Sequence, residues 1–200
     1  MTTESAIIRD RKLIAARHAR WADGAVIAVV IIALLLGVWV RNATLHRTEE
    51  FAFDNLGVSG RSPAGWARQF DDDPLVRLRD LRSGTFATTL ELRRRPLAAE
   101  ADVSLALDAL VLEHAADATA YTSLGTEQVL VHNTTATQRG FTYVAVNHNP
   151  YVDQLPVVVR GLDVALRVAD QVYVITYMAN ADEFDASYPY FRAFIEDLEF

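Results

Sequence analysis

His148 stands in Asn147-His148-Asn149-Pro150-Tyr151, a polar stretch with Asp153 close behind, where an imidazole and a carboxylate could meet to move a proton. No nucleophile motif accompanies the pair. Gly57-Val58-Ser59-Gly60-Arg61 lacks the last glycine of G-x-S-x-G, and no convincing helix follows it. A surface-loop or interface histidine therefore accounts for His148 without catalysis. Of the other histidines, His114 falls on the apolar side of a helical pattern and His132 in a strand pattern, so both read as structural. The five histidines form no H-E-x-x-H and no other close ligand pair, which leaves a dedicated zinc site unsupported. With no cysteine, the chain also has no disulfide framework, thiolate nucleophile or thiolate metal site.

Two charged runs and one aromatic set remain. Asp71-Asp72-Asp73-Pro74 carries oxygen ligands for a hard cation, but the spaced acids and glycine of an EF-hand are missing, so it reads as a solvated turn. Arg93-Arg94-Arg95 reads as a solvated strand end that could pair with an acidic partner or with lipid headgroups. Tyr143, Tyr173, Tyr177, Tyr188, Tyr190 and Phe191 could line a groove, although such residues more often fill a core. No catalytic, cofactor-binding or metal-binding residue is assigned. The contact candidates are Arg93, Arg94, Arg95, His148, Tyr151 and Asp153.

The elements that must position these residues begin with a hairpin. Phe86, Thr88, Leu90 and Leu92 alternate with Ala87, Thr89, Glu91 and Arg93, and Arg82-Ser83-Gly84 turns from a strand around Val76 and Leu78, giving one buried face. From Asp102, a candidate N-cap, Val103, Leu107, Leu110, Val111 and His114 follow helical spacing. Glu127 to Asn133 and Phe141 to Asn147 read as strands around a polar connection, Thr134 to Gly140. Pro156 to Val168 and Val172 to Met178 form another pair, turning at Ala169-Asp170-Gln171. Phe184, Phe191, Phe194, Ile195 and Leu198 mark a closing helix whose first turn is expected near Pro189. Short antiparallel connections with two segregated helices predict an α+β domain, an antiparallel sheet flanked by helices.

Ahead of this domain lies a run of another kind. Gly24 to Val40 (GAVIAVVIIALLLGVWV) is uncharged, and Trp21 and Trp39 bracket it where indoles favour the headgroup zones. Its rise of about 26 Å approaches the hydrocarbon thickness of about 30 Å, so residues 22–40 are predicted to be a single transmembrane helix. Ala33 and Gly37 form a small-xxx-small pair that permits close helix approach. Arg9, Arg11, Lys12, Arg17 and Arg20 precede the run, so the amino terminus is expected in the cytoplasm and the carboxy-terminal domain outside. A cleaved signal peptide is the competing reading, but its apolar region is shorter and small residues follow it, whereas Val38, Trp39 and Val40 are bulky.

The expected organisation is a cytoplasmic basic segment (1–21), an anchor (22–40), a tether (41–50) and an extracytoplasmic domain (51–200). The whole chain is −7, and residues 24–200, with 14 bases and 23 acids, are −9. Nucleic acid, which needs basic residues to neutralise phosphates, is excluded as a partner. Eighteen arginines against one lysine fit high-GC bacterial coding, hence a bacterial cell membrane.

The early strand Phe51 to Val58 leading into Pro63-Ala64-Gly65-Trp66, the helix from Asp102, two successive hairpins and the terminal Phe191-x3-Ile195-x2-Leu198-x-Phe200 together resemble the PsbP-like family, whose fold is shared with the nuclear-transport protein Mog. The resemblance covers about residues 50 to 200. It implies an antiparallel sheet sandwiched by helices, used as a binding or assembly module beside membrane complexes. Plant and cyanobacterial members serve the photosystem on the lumenal side; a retained anchor departs from the cleaved or lipidated members. The expected function is a non-catalytic accessory or assembly subunit of a larger membrane complex, such as one of respiratory or photosynthetic electron transport. Its partners would be integral membrane subunits and the lipid bilayer, and no cofactor is expected. The alternatives are an anchored ligand-binding or sensory domain and, third, an anchored hydrolase.

Overall fold

The computed structural model describes residues 26–40, 47–53, 57–98, 100–146 and 155–200, in two compact units divided between His46 and Arg47. The first unit contains helix α1, described over residues 26–40, with every position exposed. Its rise is about 22 Å. Among the described residues no helix is long and apolar enough to cross a membrane. Trp39, Ala33 and Gly37 lie on α1, and space is open around Gly37; Trp21 and residues 22–25 lie outside the described residues.

The second unit is α+β. Strands β1 (Thr48–Phe53) and β2 (Val58–Pro63) pair antiparallel as a small separate sheet. The expected single early strand is thus two, and β1 starts inside the stretch expected as a tether. Pro63 to Trp66 is a tight turn closed by the Trp66 N–H on the Pro63 carbonyl at 3.3 Å, with Gly65 at φ 79 in the position a type II turn reserves for glycine. It aims Trp66, which is buried, back into the core.

The main sheet has seven antiparallel strands in the order β3-β4-β5-β9-β8-β7-β6. They are β3 (Ala67–Phe70), β4 (Val76–Asp80), β5 (Thr88–Arg95), β6 (Thr119–Val131), β7 (Thr134–Ala145), β8 (Val157–Val168) and β9 (Gln171–Asn180). Helix α2 (Ser104–Asp117) follows β5, and α3 (Phe184–Glu196) follows β9. The β4–β5 and β8–β9 hairpins stand where alternation predicts them. The third differs: β6 and β7 join through His132 and Asn133, both left-handed at φ 50 and 60, and the polar stretch expected as their connection is paired strand. A two-residue hairpin needs positive φ at both central positions, which favours residues such as asparagine. Thr134, Thr135, Thr137 and Gln138 offer no apolar period by which a strand would be recognised.

Strand parity gives the sheet two unlike faces. One carries Val76, Leu78, Leu90, Leu92, Val164, Leu166, Tyr173, Ile175 and Tyr177, sealed by Phe184, Phe191 and Phe194 of α3, by Leu198 and by Phe51 and Val58 of the small sheet. Each fully buried aliphatic or aromatic side chain there contributes about 2 kcal/mol of transfer free energy. The opposite face is covered by α2, so the β4–β5 hairpin, expected to have one buried face, has two: Glu91 on β5 is buried with Leu90 and Leu92. The N-cap of α2 is Val103 rather than the expected Asp102, which accepts from the Ser104 N–H at 2.7 Å; this backbone donor, with the Ser104 side chain, holds the Asp102 carboxyl below its ordinary pKa. Helix α3 begins at Phe184, so Pro189 sits inside it rather than in its first turn.

Candidate functional site

Helix α3 does not cover the whole apolar face. The long β6–β7 hairpin extends past it, and between hairpin and helix lies an open trough formed by two cavities of about 500 and 580 Å³ that share Gln138 and Tyr188. Its floor comes from β8 (Leu162, Val164) and β7 (Gln138, Gly140), one wall from Leu124 to Val131 of β6, and the other from Phe184, Tyr188, Phe191 and Ile195 of α3. Gly140 keeps the floor low, since a Cβ there would lie 3.5 Å from Leu124.

Polar groups ring this apolar floor. The Arg160 guanidinium lies 4.3 Å over the Phe184 ring and 3.9 Å from the Asp185 carboxylate. Gln138 donates to Glu127 at 2.8 Å, and Arg192 pairs with Glu196 at 2.8 Å. At one end the His132 ring closes the trough, its Nε2 2.8 Å from the Ile195 carbonyl, which makes Nε2 the protonated nitrogen. Leu124 is 56% exposed on the outer wall, whereas Leu130, flanked by Val129 and Val131, is 76% exposed on the other face of that strand. That wall is an edge strand, paired on one side only among the described residues, so its outer backbone groups can receive an added strand. The trough can thus take apolar side chains on its floor, charged ones at its rim and an extended backbone along β6. A second groove of about 740 Å³, over Phe51 and Gly60, is rimmed by Glu50, Glu196, Asp197 and Glu199.

Of the contact candidates singled out in the sequence, Arg93, Arg94 and Arg95 do not line the trough. His148, Tyr151 and Asp153 lie outside the described residues. Arg93 and Arg95 turn inward to α2: Arg93 donates to Glu91 Oε2 at 2.8 Å, Arg95 reaches Asp73 at 3.0 Å and also pairs with Glu113, and Arg77 completes the cluster at 2.6 Å from Glu91. Burial opposes the Arg93 charge, yet Glu91, Asp73 and Glu113 together raise its pKa. Arg94 is the exposed member of the run. Asp73, from the acidic turn, serves as a counter-ion within this cluster. Among the aromatics, Tyr173, Tyr177 and Phe191 are core, and Tyr188 reaches the trough. Sequence reasoning passed over Leu124, Leu130 and Arg160. Two leucines in a strand otherwise rich in Thr, Ser and Gln were the available signal.

No family model and no curated protein sequence matches the chain. Solved structures do. The solution structure of cyanobacterial PsbP (CyanoP) from Synechocystis sp. PCC 6803 superposes with a TM-score of 0.57 at 11% identity, over 76% of this chain and 92% of that one. The Saccharomyces cerevisiae Ran-binding protein Mog1p superposes with a TM-score of 0.50 at 13% identity, over 76% and 94%. At these identities the likeness shows the fold, which is that of PsbP and Mog1p, as the order of elements led us to expect.

Proposed function

We propose that this chain is a membrane-anchored, non-catalytic binding module, an accessory or assembly subunit whose extracytoplasmic domain holds a segment of a membrane-complex partner in the trough between α3 and the β6–β7 hairpin. The observation that carries the reading is the trough itself, an apolar floor left open beside an edge strand. Leu162, Tyr188 and the exposed Leu124 offer apolar contacts there, and an unpaired edge offers backbone hydrogen bonds to an incoming strand. The name of Mog1p records binding to another protein, and CyanoP shares the same sandwich.

The anchor rests on the uncharged run Gly24 to Val40, which with residues 22 and 23 approaches the length needed to span, and on α1, whose Ile, Leu and Val side chains are exposed. The basic residues before it favour an inward amino terminus. A small-molecule reading is the alternative, because cavities of 500 to 580 Å³ fall in the range of ligand pockets. The trough is open along its length, which suits an extended polypeptide better.

Alkaline carbonate extraction and protease digestion of intact spheroplasts test the anchor. The chain should stay in the membrane pellet, and residues 51–200 should be digested from outside. Release into the supernatant, or full protection of the domain, would refute this topology.

A further inference from the structure

The two faces of the sheet are closed by unlike means. Beneath α3 the contacts are apolar; beneath α2 the buried core shrinks to Ala106, Leu107 and Leu110 against Ala165, Val172 and Val174. Otherwise α2 is fastened by charge. Asp108 accepts from Arg139 at 2.8 Å, and Glu113 pairs with Arg95.

Closure of this face leaves polar groups unmatched. Among the described residues, the buried side-chain atoms without a hydrogen bond are Arg95 Nε, His114 Nε2, Tyr121 Oη, Asp163 Oδ2 and Arg167 Nη1. The first four belong to α2 or to sheet residues beneath it, and Arg167 holds the loop leading into it. Each such group sets its desolvation against docking. The exit from α2 is also strained: Ala120 is left-handed at φ 54, and the β6–β7 register shifts between Thr119 and Thr122.

We propose that α2 is a hinged cover that undocks as a unit while the sheet stays folded. The sheet needs no backbone hydrogen bond from α2, since β5, β9, β8 and β7 pair with one another and α3 seals their other face. On its entry side α2 stays tied to the sheet, because Arg167 donates to the Ala101 carbonyl at 2.7 Å and the Ala98 carbonyl at 3.3 Å. Opening presents a second face on which the Glu91 and Asp163 carboxylates lie beside Phe141 and Tyr143, chemically unlike the trough. The inference does not depend on the trough or on the anchor.

Hydrogen exchange read by mass spectrometry on the full chain in detergent micelles tests it. Amides of residues 104–117 should exchange about 100-fold faster than those of 184–196, because they open by a cheaper route than global unfolding. An Asp108→Asn, Glu113→Gln variant should speed exchange in α2 by about tenfold and leave α3 unchanged. Tyr121→Phe, which removes an unmatched hydroxyl, should slow α2 by about threefold, again without effect on α3. Raising salt to about 1 M should accelerate α2 alone by screening its ion pairs. Equal rates for the two helices in the native chain, or a parallel change of both in either variant, would overturn the cover.

Discussion

Tyr121 and Tyr177 occupy opposite faces of the sheet and differ in one respect that decides their energetics. The Tyr177 hydroxyl donates to the Phe184 carbonyl at 2.6 Å and lies 3.0 Å from Ser187 Oγ, tying β9 to the first turn of α3. The Tyr121 hydroxyl is buried without a partner. The same change should therefore act differently at the two sites. Tyr177→Phe should cost about 1 kcal/mol in urea unfolding, and Tyr121→Phe should be neutral or stabilise by up to about 1 kcal/mol. Equal losses would mean that the Tyr121 hydroxyl has a partner. Burial also pushes Tyr177 up to about 12; burial and then the Asp163 charge do the same for Tyr121, and burial and then Glu91 for Tyr143. A folded pKa above the unfolded value of about 10 stabilises fully below pH 10 and loses that contribution as pH rises toward 12. Stability should accordingly fall between pH 10 and 12, with these phenols ionising late in an absorbance titration. A flat profile there would contradict their burial.

At the scale of elements, alternation read from the sequence located the strands that have an apolar side, and the helical spacing of Leu107 and Leu110 located α2. It missed β7's first half, because a strand that opens on Thr134, Thr135, Ala136, Thr137 and Gln138 carries no hydrophobic period. It also took Glu91 and Arg93 as one edge of solvent, since sequence does not show that Glu113 on α2 and Asp73 in the β3–β4 loop come to meet them. The trough was illegible for a related reason: its floor depends on how far α3 reaches across β8 and β7, a packing distance rather than a pattern. The wish for proline in a first turn placed α3 too late, whereas Phe184 and its contact with Tyr177 set the real start. Gly161 illustrates another hidden requirement. A Cβ there would collide with the Phe141 ring, which lies flat against β8 and stacks on His114 at 4.8 Å. Gly161→Ala should displace that ring and destabilise the domain by about 2 kcal/mol in chemical denaturation. A wild-type midpoint would show that Phe141 can move at no cost.

For the whole molecule, charge and polarity divide the labour. An uncharged amino-terminal run precedes a domain that carries most of the acid, and that domain closes one sheet face with apolar packing and the other with charge. The apolar face is where a partner gains most, because α3 stops short of the β6–β7 hairpin and leaves Leu162, Tyr188 and the exposed Leu124 together. The functional reading therefore rests on the trough. The direct test is to solubilise native membranes in mild detergent and compare the native size of the wild-type chain with that of a Leu124→Glu variant. The substitution falls on an exposed side chain, so the domain should fold unchanged. The account predicts that the wild-type chain migrates in one large assembly of fixed composition and that the variant dissociates from it while remaining in the membrane. Migration of the wild-type chain at its own mass, or an assembly that holds the variant equally well, would contradict it.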